Sequence, residues 1–224
     1  MGTSITFKRP DGKDANGYLA NAARGNAPGV VVIQEWWGLS EQIKGLCDRF
    51  AAAGFDALAP DLYKGTVVPY HDTDAAGKAM NSLDFMDATT QTVRGAVQYL
   101  SRNGAKVGLT GFCLGGAVTI IGATKIPELT AGVVFYGIPP EAAAKPADVN
   151  IPLQGHFASK DDWCTPALVD GFEKAMKAAG KSLELFRYDA EHGFGNEQRL
   201  SVHDRQCAGL AWGRATEFFK KHLG

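Results

Sequence analysis

The sequence has no excess of charge: 23 basic residues face 24 acidic ones, the net charge is -1, and neither sign gathers into a long run. A nucleic acid or an anionic membrane is held by a basic patch, so neither is expected as a partner. No uninterrupted apolar stretch approaches the roughly 18 residues of a membrane span, and the opening MGTSITFKRP lacks the apolar core of a secretory signal. These absences predict a cytoplasmic protein that acts on a small molecule. Cysteine is scarce too, with four residues at positions 47, 113, 164 and 207. Their spacing matches neither a zinc site nor a disulfide framework, so no metal is expected and each cysteine is judged by its own setting.

What is present is enough for one substantial core. At 224 residues and 45% hydrophobic content, residues 1-224 read as a single domain. Apolar, β-branched runs at 29-34, 55-58, 106-110, 131-136, 151-157 and 183-188 predict strands, joined by a short first strand near the N-terminus. Helical periodicity appears between them, with Ser40 as a candidate N-cap, Gly54 as a stop, and Pro166 opening a later helix. A last helix from about Ser201 carries Ala208, Ala211, Trp212, Ala215, Phe218 and Phe219 on one stripe. Strands alternating with helices predict an α/β fold with a mainly parallel sheet covered on both faces. Residues 60-82 mix Pro, Gly, His and Asp without a clear period and predict a long loop or short lid.

Chemistry concentrates at four places. Gly111-Phe112-Cys113-Leu114-Gly115 follows a strand and turns directly into a helix, as the G-x-S-x-G nucleophile elbow does. Glycines permit the tight turn, the helix N-terminus favours a thiolate, and the Leu114 N-H is set to meet an oxyanion. A core cysteine between packing glycines is the competing reading, and the strand-turn-helix context favours catalysis. His192 lies just after the last strand, where this chain order puts the base. Asp162 lies just beyond the strand 151-157 as the carboxylate to orient it, with Asp161 as the alternative. Glu35 ends a buried central strand, where a carboxylate is costly unless paired or facing a cleft, so it is expected to face the site. Trp36 is a candidate for the second oxyanion N-H, and Trp37 and Trp163 for the pocket walls. His156 sits within an apolar strand and reads as a core residue; His71, His203 and His222 have ordinary surface readings. A non-catalytic binding protein or a cysteine redox sensor on the same fold are the readings from other classes.

Gln34-Glu35-Trp36-Trp37-Gly38, Gly111 to Gly116, Asp162 four residues before Pro166, and His192-Gly193-Phe194 together resemble the dienelactone hydrolase family. Pro60-Asp61-Leu62-Tyr63 and the closing Ala211-Trp212 to Phe218-Phe219 extend the likeness along nearly the whole chain. The resemblance implies an eight-stranded α/β-hydrolase with no metal or other cofactor, hydrolysing the lactone ring of carboxymethylenebutenolide (dienelactone) or a related ester. It maps Cys113, His192 and Asp162 onto the triad, and Glu35 onto a glutamate that contacts the resting thiol and moves when substrate binds. Family members resembling this chain grip the substrate carboxylate with one lid arginine and one arginine four residues after the histidine. Here the second position is Asn196, expected to touch substrate, and the lid holds only Lys64, Lys78 and His71 as cations. A weaker preference for anionic lactones is the expectation.

Overall fold

A computed structural model describes all 224 residues. Eight strands form one sheet: β1 (Thr3–Lys8), β2 (Asp14–Ala20), β3 (Gly29–Ile33), β4 (Asp56–Pro60), β5 (Val107–Phe112), β6 (Leu129–Phe135), β7 (Leu153–Ala158) and β8 (Leu183–Tyr188). Their order is β1-β2-β4-β3-β5-β6-β7-β8. β2 runs antiparallel to both of its neighbours, and all pairs from β4 across to β8 are parallel. The helices are α1 (Glu41–Ala52), α2 (Thr73–Asn81), α3 (Phe85–Asp87), α4 (Arg94–Ser101), α5 (Leu114–Lys125), α6 (Pro166–Ala178) and α7 (Arg205–Leu223).

The period of two along β3 divides the core. Val30 and Val32 face one side, where they join Phe50 of α1 and Phe218 and Phe219 of α7. Val31 and Ile33 face the other, with Val97 of α4 and Val118 of α5. All four β3 side chains are fully buried, which accounts for an unbroken apolar run rather than an alternating one. Burying each contributes about 1.5 to 3 kcal/mol. A third cluster seats α6 through Val169, Phe172 and Met176 against Val134 and Leu153.

Four features depart from the sequence expectation. β2 is not foreseen, because Asp14, Asn16 and Gly17 are poor strand formers; it exists by pairing with β1 on one side and β4 on the other. The lid contains α2, whose N-cap Asp72 accepts a hydrogen bond from the Ala75 N-H. A π-helical turn, Ala88–Val93, joins α3 to α4. The last helix starts at Arg205 rather than near Ser201, because the Asp204 carboxylate caps it by accepting from the Cys207 N-H at 2.8 Å.

Candidate active site

The carboxyl ends of five neighbouring parallel strands converge on one cleft. β3 delivers Glu35 and Trp36, β5 Cys113, β6 Tyr136, β7 Asp161 and β8 His192. Such a cleft beside the strand ends is where open α/β sheets bind ligands.

Cys113 adopts φ 57° and ψ -117°, a conformation that costs a non-glycine residue on the order of 1 to 3 kcal/mol. The surroundings enforce it. Its N-H donates to the Phe135 carbonyl at 3.0 Å, and its own carbonyl accepts from the N-H groups of Gly116 and Ala117 at 2.9 and 3.3 Å. The flanking glycines are required by close approach. A Cβ on Gly111 would collide with the Gly115 backbone, and one on Gly115 would lie 2.6 Å from the Ile33 and Gln34 carbonyl oxygens. The strained turn thus lifts the thiol to the start of α5, where the Leu114 N-H has no partner within the helix. The Trp36 N-H likewise has no acceptor among the backbone hydrogen bonds.

His192 Nδ1 lies 2.7 Å from Asp161 Oδ2. This corrects the expectation for Asp162: the carboxylate on the imidazole is that of its neighbour. Asp161 is buried, and its second oxygen accepts from the Trp163 and Cys164 N-H groups at 2.9 and 2.8 Å. Those bonds aim the side chain inward, whereas Asp162 is exposed at the cavity rim. Burial pulls the His192 pKa down, but the Asp161 carboxylate and the facing Cys113 sulfur more than offset it, raising it to about 10.

Glu35 is 3% exposed. Its Oε1 accepts from the Tyr136 hydroxyl at 3.1 Å and its Oε2 from Asn196 Nδ2 at 2.7 Å. Burial pushes its pKa up, opposed by Asn196, by the charge of His192, by Tyr136 and by the charge of Arg199. Glu35 faces the cleft as expected, yet no hydrogen bond joins it to Cys113, contrary to the thiol contact implied by the resemblance. Asn196, expected to touch substrate, lies on the far side of this carboxylate. It is fully buried, donates to Glu35 and is not among the residues that line the cavity.

The cavity has a volume of about 490 Å³. Trp36, Trp37, Met80, Trp163 and Val202 form its apolar wall, with Cys113, His192 and Glu35 at its base. Its cations are not Lys64, Lys78 or His71 of the lid but Arg199 and Lys160. Lys160 is exposed and engaged by Asp189 at 2.8 Å. Arg199 is half-buried, has its guanidinium 5.6 Å from the Trp37 ring centroid, and forms no ion pair. Sequence reasoning misses Arg199 and Tyr136. The signal for the first is a lone arginine in the loop after His192; for the second, a polar aromatic at a strand end next to Gly137.

The remaining histidines and cysteines play other parts. His156 is fully buried between Tyr188 Oη at 2.8 Å and Gln154 Oε1 at 2.9 Å, and burial lowers its pKa to about 3. His203 Nδ1 pairs with the Phe194 carbonyl at 2.9 Å. Burial raises the thiol pKa of Cys47, Cys164 and Cys207.

An elbow at the end of a central parallel strand, with a histidine-carboxylate pair supplied by two later strands, defines an α/β-hydrolase. Residues 15–223 match the model of the dienelactone hydrolase family. The chain belongs to that family. It is 36% identical to "Protein usf" of Aquifex pyrophilus and 34% identical to a "Putative carboxymethylenebutenolidase" of Aquifex aeolicus, each match covering 100% of both chains. Among solved structures it is similar to "Putative Dienelactone Hydrolase from Klebsiella pneumoniae", with a TM-score of 0.86, 26% identity, and coverage of 99% of this chain and 100% of that one. No helix is long and apolar enough to cross a membrane.

Proposed function

We propose that this member of the family hydrolyses a carboxylic ester or lactone through an acyl-enzyme on Cys113, with His192 as base and Asp161 as the residue that orients it. The observation that carries the reading is the short Asp161–His192 hydrogen bond at the foot of a cavity that also exposes the strained Cys113. In the proposed cycle the thiol proton passes to His192, and the thiolate attacks the ester carbonyl. The Leu114 and Trp36 N-H groups stabilise the oxyanion. Imidazolium then returns the proton to the leaving oxygen, and neutral His192 activates water to release the acid.

The substrate reading follows from the cavity. Its apolar wall suits a flat, unsaturated ring, and the unpaired Arg199 offers a forked donor for a carboxylate. Dienelactone, or a related anionic lactone, meets both conditions. The test is a pre-steady-state assay with an activated ester. The wild-type enzyme releases a burst of alcohol equal to the enzyme concentration, Cys113→Ala releases none, and iodoacetamide abolishes the burst while labelling Cys113 before Cys47, Cys164 or Cys207. A burst surviving Cys113→Ala, or inactivation that tracks another cysteine, would remove Cys113 from the mechanism.

A further inference from the structure

Tyr63 follows β4, on the flank of the elbow opposite His192. In the sheet order, Cys113 ends β5, and His192 follows β8 to one side of it. Trp36 follows β3 on the other side, and Tyr63 lies one strand further out. The turn that carries Tyr63 is fixed by hydrogen bonds. The Leu62 N-H donates to Gln34 Oε1 at 3.2 Å, which ties the turn to the end of β3, and the Tyr63 N-H donates to Asp61 Oδ1 at 3.0 Å. The Tyr63 carbonyl accepts from the Thr66 N-H at 3.1 Å. Tyr63 and Trp36 both pack on the core cluster that contains Leu114. The ring therefore stands with the two residues whose N-H groups the proposed cycle aims at the oxyanion.

The hydroxyl is unpaired in the resting structure. The ring borders a second cavity together with Leu62 and Leu83, but Tyr63 Oη itself is fully buried and has no hydrogen-bond partner. A buried donor left without an acceptor is costly. Burial, and then the negative charge of a Cys113 thiolate, push the phenol pKa up. The hydroxyl thus keeps its proton, stays a donor, and lies within reach of charge at Cys113.

We propose that Tyr63 is a third oxyanion donor: when an ester binds at Cys113, its hydroxyl joins the Leu114 and Trp36 N-H groups on the carbonyl oxygen. This rests on the acyl-enzyme reading given above. With the thiol proton on His192, the thiolate forms the S-C bond and the carbonyl π pair moves onto oxygen. Tyr63 donates a hydrogen bond to that oxygen without releasing its proton. When the bond to the leaving oxygen breaks, the pair returns to the carbonyl and the leaving oxygen takes the His192 proton. A donor unpaired at rest and paired as charge forms stabilises the transition state more than the ground state, which raises kcat rather than lowering KM.

Tyr63→Phe keeps the ring and removes only the hydroxyl. The burst rate constant with an activated ester is expected to fall about 10²-fold, the lower range for one oxyanion donor. The ester concentration that half-saturates the burst should change by less than about threefold. Alkylation of Cys113 by iodoacetamide is the control, because the thiolate displaces iodide at a saturated carbon and no oxyanion forms. Labelling should stay within about twofold of wild type, since it follows the thiolate alone. An unslowed burst would overturn the proposal, as would a burst and an alkylation rate that fall together, which marks damage to Cys113 itself. Should Tyr63→Phe fail to fold, a crystal structure of the wild-type protein with an aldehyde added to the Cys113 thiol decides. The adduct oxygen is expected at about 2.7 to 3.1 Å from Tyr63 Oη, and an oxygen held by the two N-H groups alone would overturn the assignment. Failure of the acyl-enzyme reading is visible separately, as a burst that survives Cys113→Ala.

Discussion

Replacing Asp161 by asparagine separates the two adjacent carboxylates more sharply than any other change. The carbonyl of the introduced amide can still accept from the Trp163 and Cys164 N-H groups, as Asp161 Oδ1 does, so the turn should survive. The amide nitrogen then faces His192 Nδ1, where the wild-type carboxylate oxygen lies at 2.7 Å. Losing a hydrogen bond to a charged group costs about 1.5 to 3 kcal/mol, or roughly 10- to 150-fold in rate. A second loss comes from the tautomer. Facing a donor, Nδ1 must become an acceptor, which places the ring proton on Nε2 and leaves no free base towards Cys113. In serine proteases the equivalent tautomer error costs about 10⁴-fold. Asp161→Asn is therefore expected to lower kcat for an activated ester by about 10³-fold, with folding unchanged by circular dichroism. Asp162→Asn, at an exposed position, should stay within about threefold. A severe Asp162→Asn beside a mild Asp161→Asn would refute the assignment.

Arg199→Ala should raise KM for an anionic lactone about tenfold, the lower range of an arginine-carboxylate contact, while a neutral ester changes by less than about threefold; equal effects on both would exclude Arg199 as the anion's partner. Acidification should destabilise the fold through His156. The unfolded chain takes up a proton near 6.5, the folded protein only near 3, so stability is whole above 6.5 and falls as pH drops towards 3. Between pH 7 and pH 4.5 this amounts to about 3 kcal/mol, measurable by urea unfolding. His156→Gln should flatten that slope, and an unchanged slope would remove His156 as its source.

Why some of the site is legible in the sequence and some is not has a physical basis. Cys113 is readable because an elbow is a local structure, in which two glycines, a strand before and a helix after determine the geometry within six residues; His192 is readable because it directly follows the last strand. The choice between Asp161 and Asp162 is not readable from adjacency. It is decided by which carboxylate accepts the N-H groups of Trp163 and Cys164, a property of the folded turn. Asn196 and Arg199 lie three residues apart in an irregular loop, where no period says which side chain points inward. The sequence therefore points to the buried one as the substrate contact and passes over the one that lines the cavity. The parallel strands are legible from their apolar runs, whereas β2 exists because neighbouring strands complete its hydrogen bonds.

The sheet order has a consequence for how the site is assembled. β1 to β4 occupy one half of the sheet and β5 to β8 the other, with a single seam where β3 pairs with β5 from Gly29↔Val107 to Ile33↔Gly111. The two halves are joined in the chain by the exposed turn Arg102-Asn103-Gly104. Cys113, Tyr136, Asp161, His192 and Arg199 belong to the second half, while Glu35, Trp36 and Trp37 belong to the first. Neither segment alone holds both the proposed nucleophile and the two N-H groups proposed to receive its oxyanion. A chain divided at Gly104 would therefore act as a reporter of reassembly, silent as separate pieces and hydrolysing an ester only where the seam has closed.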